Sequence, residues 1–459
     1  MERVLVLNVV GLTPGLLATG VLPRLGAWAA RHGVRPLMPD LPAVTCTVQA
    51  SMLTGERPSV HGAVGNGWFF RELCEVWLWR QSSRLLQADT VFERWRAEHP
   101  GSPTAQSFWW WNLPSRADLS LTPRPNYHAD GRKTPDFHAW PLEIRPWLRE
   151  QIGDFPLFHF WGPGAGIRST RWITDAAILV SRRYRPGLHL VYLPHLDYDL
   201  QRFGPDSPQA LRAAAEVDAE AGRLLDHAEE EGLRVVVLSE YGITAVRRAV
   251  APNVHLRREG LLAVHPARNG ALLDPGHSRA FCVPDHQGAH VYVADPADLP
   301  KVRALLEDLD GVAEILDEAA QIQAGLAHPR SGELFLVAEE DAWFHWPYWA
   351  EDDWEPDFAR TVDIHRKPGY DPCELFLDPA LRFPRLRLAR KLLARRLGFR
   401  SVLDLIPLDP SPVRGSHGRL PARPEEGPLW IGPESLAPPA TDGPLPARLA
   451  LQGLFRKQA

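Results

Sequence analysis

The chain of 459 residues is long enough to bury a large core, and its 45% hydrophobic and 23% charged residues are those of an ordinary globular protein. A net charge of -5 gives no basis for a nucleic-acid groove or for attraction to an acidic membrane surface. The four scattered cysteines, Cys46, Cys74, Cys282 and Cys373, form no CxxC pair and read as reduced thiols, against a disulfide scaffold or a zinc knuckle.

The β-branched run from Val4 to Val10, stopped by Gly and Pro, predicts a first strand rather than a signal peptide. "LLATGVLPRLGAWAARHG" after it has helical spacing and ends at Gly33. A short strand over Pro36 to Met38 leads into "LPAVTCTVQASMLTGERPSVHGAVGN", Leu41 to Asn66, where Thr-Cys-Thr opens a run of small helix-compatible residues. Thr favours N-caps, and a helix N-terminus attracts anions, so Thr45 reads either as a plain cap or as a hydroxyl held where a phosphate would sit.

Strand and helix signals alternate again at Gly187 to Pro194, Ser207 to Glu231 and Arg234 to Gly242. That alternation predicts an α/β fold with a mostly parallel sheet sandwiched by helices. Ligands bind where such strands end, which places Thr45, Asp197 and Glu240 at the expected site. The texture changes between Val254 and Glu340, predicting an inserted cap subdomain over 254–340 within a core formed by 1–253 and 341–459. No apolar run approaches the roughly 18 residues of a membrane span, and the expected location is cytoplasmic.

Three stretches read as structural. "RLRLARKLLARRLGFR", Arg385 to Arg400, predicts an amphipathic helix with a solvated cationic face. "GPGAG" at Gly162 to Gly166 lacks the Lys-Ser/Thr ending of a phosphate loop. "HQGAH", His286 to His290, has zinc-protease spacing, but Gln287 cannot serve as a base and the motif runs straight into a strand.

The motif order from residue 8 to residue 433 resembles the alkaline phosphatase superfamily, in particular its nucleotide pyrophosphatase/phosphodiesterase branch. The motifs are the Thr45 stretch with its His-Gly and Asn66, then "LDYDLQRFGP", "SEYGI", and "GSHG" followed by "GPLWIGP". The resemblance implies an alkaline-phosphatase-like fold and a Thr45 nucleophile that forms a phosphothreonine, hydrolysed by a metal-bound water. It also implies that Asn66 and the backbone N–H of Cys46 cradle a phosphoryl oxygen. Asp197 matches a metal ligand, Gln201 stands where the family has His, and Glu240 and Tyr241 stand for Asp and His. Val10 occupies the early Asp position, Asn8 lies two residues earlier on the same strand face, and His417 keeps the late histidine.

These changes make the site rich in oxygen. Divalent metal ions are the expected cofactor: zinc by resemblance, manganese or magnesium by the donor set. In "TVDIHRKPGYDP", Asp363 and His365 are candidates to complete the ligands, with Arg366 and Lys367 to hold a phosphate; the alternative is a surface loop. The expected partner is a small phosphorylated molecule, with a nucleotide as one candidate, and neither a nucleic-acid duplex nor a membrane. "CTVQA" lacks the C-x-P-x-R of sulfatases. A phosphomonoesterase, a phosphonate hydrolase, a phosphotransferase and a catalytically silent phospho-ligand binder stay open beside the phosphodiesterase.

Overall fold

The computed structural model describes residues 3–129, 133–349, 355–399 and 401–455. Its first strand, Val4–Val9, is buried along its whole length and sits in the middle of a nine-stranded sheet. An unbroken apolar run is what a strand covered on both faces requires. It pairs in parallel with Leu188–Leu193 on one side and Arg234–Leu238 on the other. Thr104–Ser107 and Leu119–Pro123 continue the parallel order outward. Antiparallel strands Phe137–Trp140 and Leu429–Ile431 flank this parallel part.

Helices including Ile167–Tyr184 and Pro208–Glu231 pack apolar stripes on the sheet. The sequence places the second of these within one residue of its observed start. The predicted helix over residues 16–33 is instead two, Pro14–Ala18 and Pro23–His32, because Pro23 begins a new helix rather than continuing one.

A second, antiparallel sheet of four strands runs in the order Ala280–Asp285, Gly288–Val293, Leu334–Ala338, Val312–Leu316. It has its own apolar cluster, which includes Phe281, Val291, Leu336 and Trp346. Its first two strands are joined by His286 and Gln287, and His286 has φ 62°, a left-handed conformation that costs a residue with a side chain some strain. The Gln287 amide donates to the His417 carbonyl at 2.8 Å, docking this turn against the loop that carries the late histidine.

Helix Pro384–Arg396 differs from expectation: Leu386, Leu392 and Leu393 are exposed, so these residues at helical spacing cover no core. No helix among the described residues is long and apolar enough to cross a membrane.

Candidate active site

The helix Thr45–Thr54 begins directly at Thr45, and its N-cap is Val44 in extended conformation with no side-chain capping bond. Thr45 is therefore the first helical residue and not a cap. Its hydroxyl is turned elsewhere, with Oγ1 3.0 Å from Tyr241 Oη. Tyr241 in turn donates to Asp197 Oδ1 at 3.3 Å. Asp197 heads the helix His195–Phe203, which follows the strand Leu188–Leu193. Its other oxygen, Oδ2, accepts from Gln201 Nε2 at 2.7 Å, and Gln201 Oε1 accepts from Tyr370 Oη at 2.8 Å. One turn of helix separates Asp197 from Gln201, so the i, i+4 spacing puts them on one face. Burial pushes the Asp197 carboxyl up to about 7, against the hydrogen bonds from Gln201 and Tyr241. Burial also holds the Tyr241 phenol well above its ordinary value, so it stays protonated at neutral pH.

Behind this chain lies a second pair. Asn8 Nδ2 donates to Glu240 Oε2 at 2.9 Å, and both side chains are fully buried at the carboxyl ends of adjacent strands. Burial pushes Glu240 up to about 8, although the hydrogen bond from Asn8 pulls the other way. Among the described residues, Glu240 Oε1 and Asn8 Oδ1 are buried acceptors without a hydrogen-bond partner. Two such oxygens on bonded neighbours fit a hard, oxygen-coordinated divalent cation. They do not fit the imidazole-rich set of a two-zinc centre, since Gln201 and Tyr241 occupy positions that the resemblance assigns to histidines. Asp197 has both oxygens engaged with protein donors.

Among the described residues, three His, Cys, Asp or Glu side chains bring ligand atoms within 4.8 Å of one another at His345, Asp371 and Cys373, outside the expected ligand set. There Asp371 is already held by the Lys367 ammonium at 2.6 Å and the Cys373 amide at 3.0 Å.

The expected phosphoryl cradle is built differently. The Cys46 N–H donates to Asn66 Oδ1 at 2.9 Å and so is spent within the protein. Asn66 is gripped in turn by Asp285, whose Oδ2 accepts from the Asn66 amide at 2.7 Å and whose Oδ1 accepts from Asn66 Nδ2 at 2.9 Å. His286 Nδ1 also donates to that Oδ1, at 2.8 Å. The sequence reading set His286 aside as structural, yet the hairpin of the second sheet delivers it here. His290 does fit that reading: one ring nitrogen bonds the Val64 carbonyl and the other accepts from the Gly332 amide.

Four rings stack in one column. Tyr241 lies on His417 with centroids 3.6 Å apart, His417 meets His286 at 3.8 Å, and His286 lies on Tyr370 at 3.6 Å. Burial lowers both histidines well below their ordinary values, so both imidazoles are neutral. His417 Nδ1 donates to the Ala43 carbonyl at 2.8 Å, leaving Nε2 as its ligating or basic nitrogen.

In the stretch 361–372 the candidate residues bond to protein groups. Asp363 pairs with Arg366 at 3.2 Å, and His365 Nδ1 donates to the Leu78 carbonyl at 3.3 Å; neither is bonded to Asp197 or Glu240. Lys367 is buried between Asp371 at 2.6 Å and Glu374 at 2.8 Å. It neutralises carboxylates instead of reaching a phosphate, because freeing it would strand two buried charges. Asp285, His286 and Tyr370 were missed; only the unusual "DHQG" turn between two apolar runs carried a signal.

The family of type I phosphodiesterases and nucleotide pyrophosphatases matches residues 4–371. An uncharacterized pyrophosphatase/phosphodiesterase of Schizosaccharomyces pombe is 25% identical over 252 residues, 53% of this chain and 45% of that protein. The chain thus matches less than half the length of that curated relative. Phosphonoacetate hydrolase of Sinorhizobium meliloti 1021, solved with phosphonoacetate, superposes with TM-score 0.63 at 16% identity, over 98% of this chain and 94% of that one. Murine ectonucleotide pyrophosphatase/phosphodiesterase 5, solved with AMP, superposes with TM-score 0.57 at 13% identity, over 94% and 88%. At those identities the two structures establish the fold: an α/β, alkaline-phosphatase-like core. The match across residues 4–371 goes further, and by it the chain belongs to the type I phosphodiesterase/nucleotide pyrophosphatase family.

Proposed function

We propose that this protein hydrolyses a phosphoric ester or anhydride of a small molecule, with Thr45 as the nucleophile. The observation that carries this reading is the hydrogen-bond path linking Thr45, Tyr241 and Asp197, at the start of a helix without a side-chain cap. A Thr hydroxyl is a weak nucleophile until a base takes its proton. As Oγ attacks phosphorus, its proton passes to Tyr241 while the phenolic proton passes to the Asp197 carboxylate, so the tyrosine never ionises. The O–P bond to Thr45 forms, the bond to the leaving group breaks, and the leaving oxygen takes a proton from solvent.

In the second half a water oxygen bonds to phosphorus, the Thr45 O–P bond breaks, and Asp197 returns its proton through Tyr241 to Oγ. The water's proton leaves to solvent. Charge on the non-bridging oxygens is met by the helix dipole and by the second N–H of the Asn66 amide, since the first is held by Asp285. Glu240 and Asn8 would hold a divalent cation, magnesium or manganese by the donor chemistry, which when bound supplies positive charge beside the phosphoryl group. The AMP and phosphonoacetate held by similar structures support a small phosphorylated substrate.

The test is a quenched reaction with a chromogenic diester, followed by mass spectrometry of the peptide that carries Thr45. A phosphoryl adduct is expected on Thr45 in the parent protein and absent in Thr45→Ala. An adduct elsewhere, or Thr45→Ala turning over at the parental rate, overturns the assignment.

A further inference from the structure

Helix Pro384–Arg396 belongs to an excursion that leaves and rejoins the body at one place, where the Asp378 amide donates to the Leu405 carbonyl at 2.8 Å. Between Asp378 and Asp404 the chain has no acidic residue, and the helix alone carries six Arg or Lys. Asp404 ties the helix down. Its carboxylate pairs with Arg387 at 2.8 Å and with Lys391, whose ammonium also donates to the Val402 carbonyl at 2.7 Å. Arg387 and Lys391 stand one turn apart, so they share the face turned toward residues 402–404.

Another face is left in water. Leu386, Leu393 and Leu397 fall at helical spacing on one stripe, and the Leu397 amide still donates to the Leu393 carbonyl at 3.0 Å. These three are 69%, 57% and 67% exposed, and Phe383 and Phe399 at the two ends are 76% and 68% exposed. Among the described residues no Leu of this helix belongs to a buried apolar cluster. Arg390 and Arg396, both exposed, border the stripe at i+4 from Leu386 and i+3 from Leu393. Among the described residues neither takes part in an ion pair, unlike Arg387 and Lys391.

A covering partner must therefore bury leucines and meet cations together. A second copy of the helix would bring like charges into contact. A nucleic acid would meet the cations and leave the Leu and Phe side chains in water. The surface of an anionic bilayer does both, because its headgroups attract Lys and Arg while the acyl boundary takes up the apolar side chains. The net charge of -5 does not describe this face, since such attraction acts within about a Debye length. We propose that the segment from Phe383 to Phe399 docks the protein on a membrane surface rich in anionic lipid. At 13 residues the helix is too short to cross a bilayer, and it lies in the plane of the interface.

Cosedimentation of the full chain with vesicles tests this. Phosphatidylcholine vesicles that contain phosphatidylglycerol are expected to bind it roughly tenfold or more tightly than phosphatidylcholine alone, and added salt should weaken the binding. Leu386→Ser, Leu393→Ser and Leu397→Ser combined should weaken it by about tenfold, as should Arg390→Glu with Arg396→Glu, with melting temperatures at the parent's value. If the leucine variant melts lower, the charge variant carries the test alone. Equal affinity for the two kinds of vesicle, or binding that survives the substitutions, overturns the proposal. So does tighter binding to duplex DNA than to the anionic vesicles. A leucine variant that turns a dimer into a monomer in sedimentation velocity, with vesicle binding untouched, overturns it as well.

Discussion

Asp285 holds Asn66 by both its backbone amide and its side chain, at 2.7 and 2.9 Å, from 219 residues away. One buried carboxylate on the tip of the second sheet thereby fixes the residue that accepts from the Cys46 amide, next to Thr45. Asp285→Asn would set an NH2 group against the donors that now meet a carboxylate. A loss of about 2–3 kcal/mol in urea unfolding is expected, together with a lower kcat, because a buried donor left facing donors bears its full desolvation cost. Unchanged stability would mean that Asn66 is held by something else.

Tyr241→Phe removes the hydroxyl that lies between Thr45 and Asp197 and keeps the ring stacked on His417. A fall in kcat of roughly ten- to a hundredfold is expected, about 1.4–2.7 kcal/mol in the barrier, with KM little changed and the melting temperature close to the parent's. Steady-state kinetics on a chromogenic diester reads this directly. A parental kcat would remove Tyr241 from the proton path.

Glu240 makes stability depend on pH. Its carboxyl is raised from 4.5 to about 8 by burial, so below pH 4.5 the folded and unfolded chains are both protonated there and its contribution is fully present. Between pH 4.5 and 8 only the unfolded chain ionises at this position, and stability drains away until the folded group titrates as well. In metal-stripped protein, Glu240→Gln should therefore gain melting temperature relative to the parent as pH rises through this window, with the difference level above it. A difference independent of pH would show that Glu240 titrates normally.

Manganese or magnesium should raise the melting temperature of the parent at pH 8, where Glu240 can ionise, and raise that of Glu240→Gln much less. Zinc should do no better than either, because the donors are oxygens. Thermal shift with each ion after chelation measures this, and a zinc-specific shift would place the metal elsewhere.

Lys367→Met should destabilise the fold by about 3–5 kcal/mol, since it leaves Asp371 and Glu374 buried without their cation. If Lys367 instead served a phosphate, the same change would raise KM and leave unfolding nearly untouched. Denaturant titration beside kinetics separates the two.

Local pattern made much of this legible. The continuous apolar run of Val4 to Val9, the strand ends before Asp197 and Glu240, and the small residues after Thr45 each announce an element within a few positions, because helix and strand periodicity is a short-range property. That Asp197 and Gln201 share a helix face follows from spacing alone. Hydrogen-bond partners across the chain do not. Thr45 reads as a possible cap until the backbone shows Val44 in that place and Tyr241, 196 residues on, against its hydroxyl. Asp363, His365 and Lys367 look alike as exposed polar residues in one loop; folding buries only Lys367 and gives it two carboxylates. The sequence by itself determined which residues stand at strand ends and helix starts. Which of them face one another was decided by the tertiary structure, because desolvation and pairing depend on neighbours that the chain brings together only when it folds.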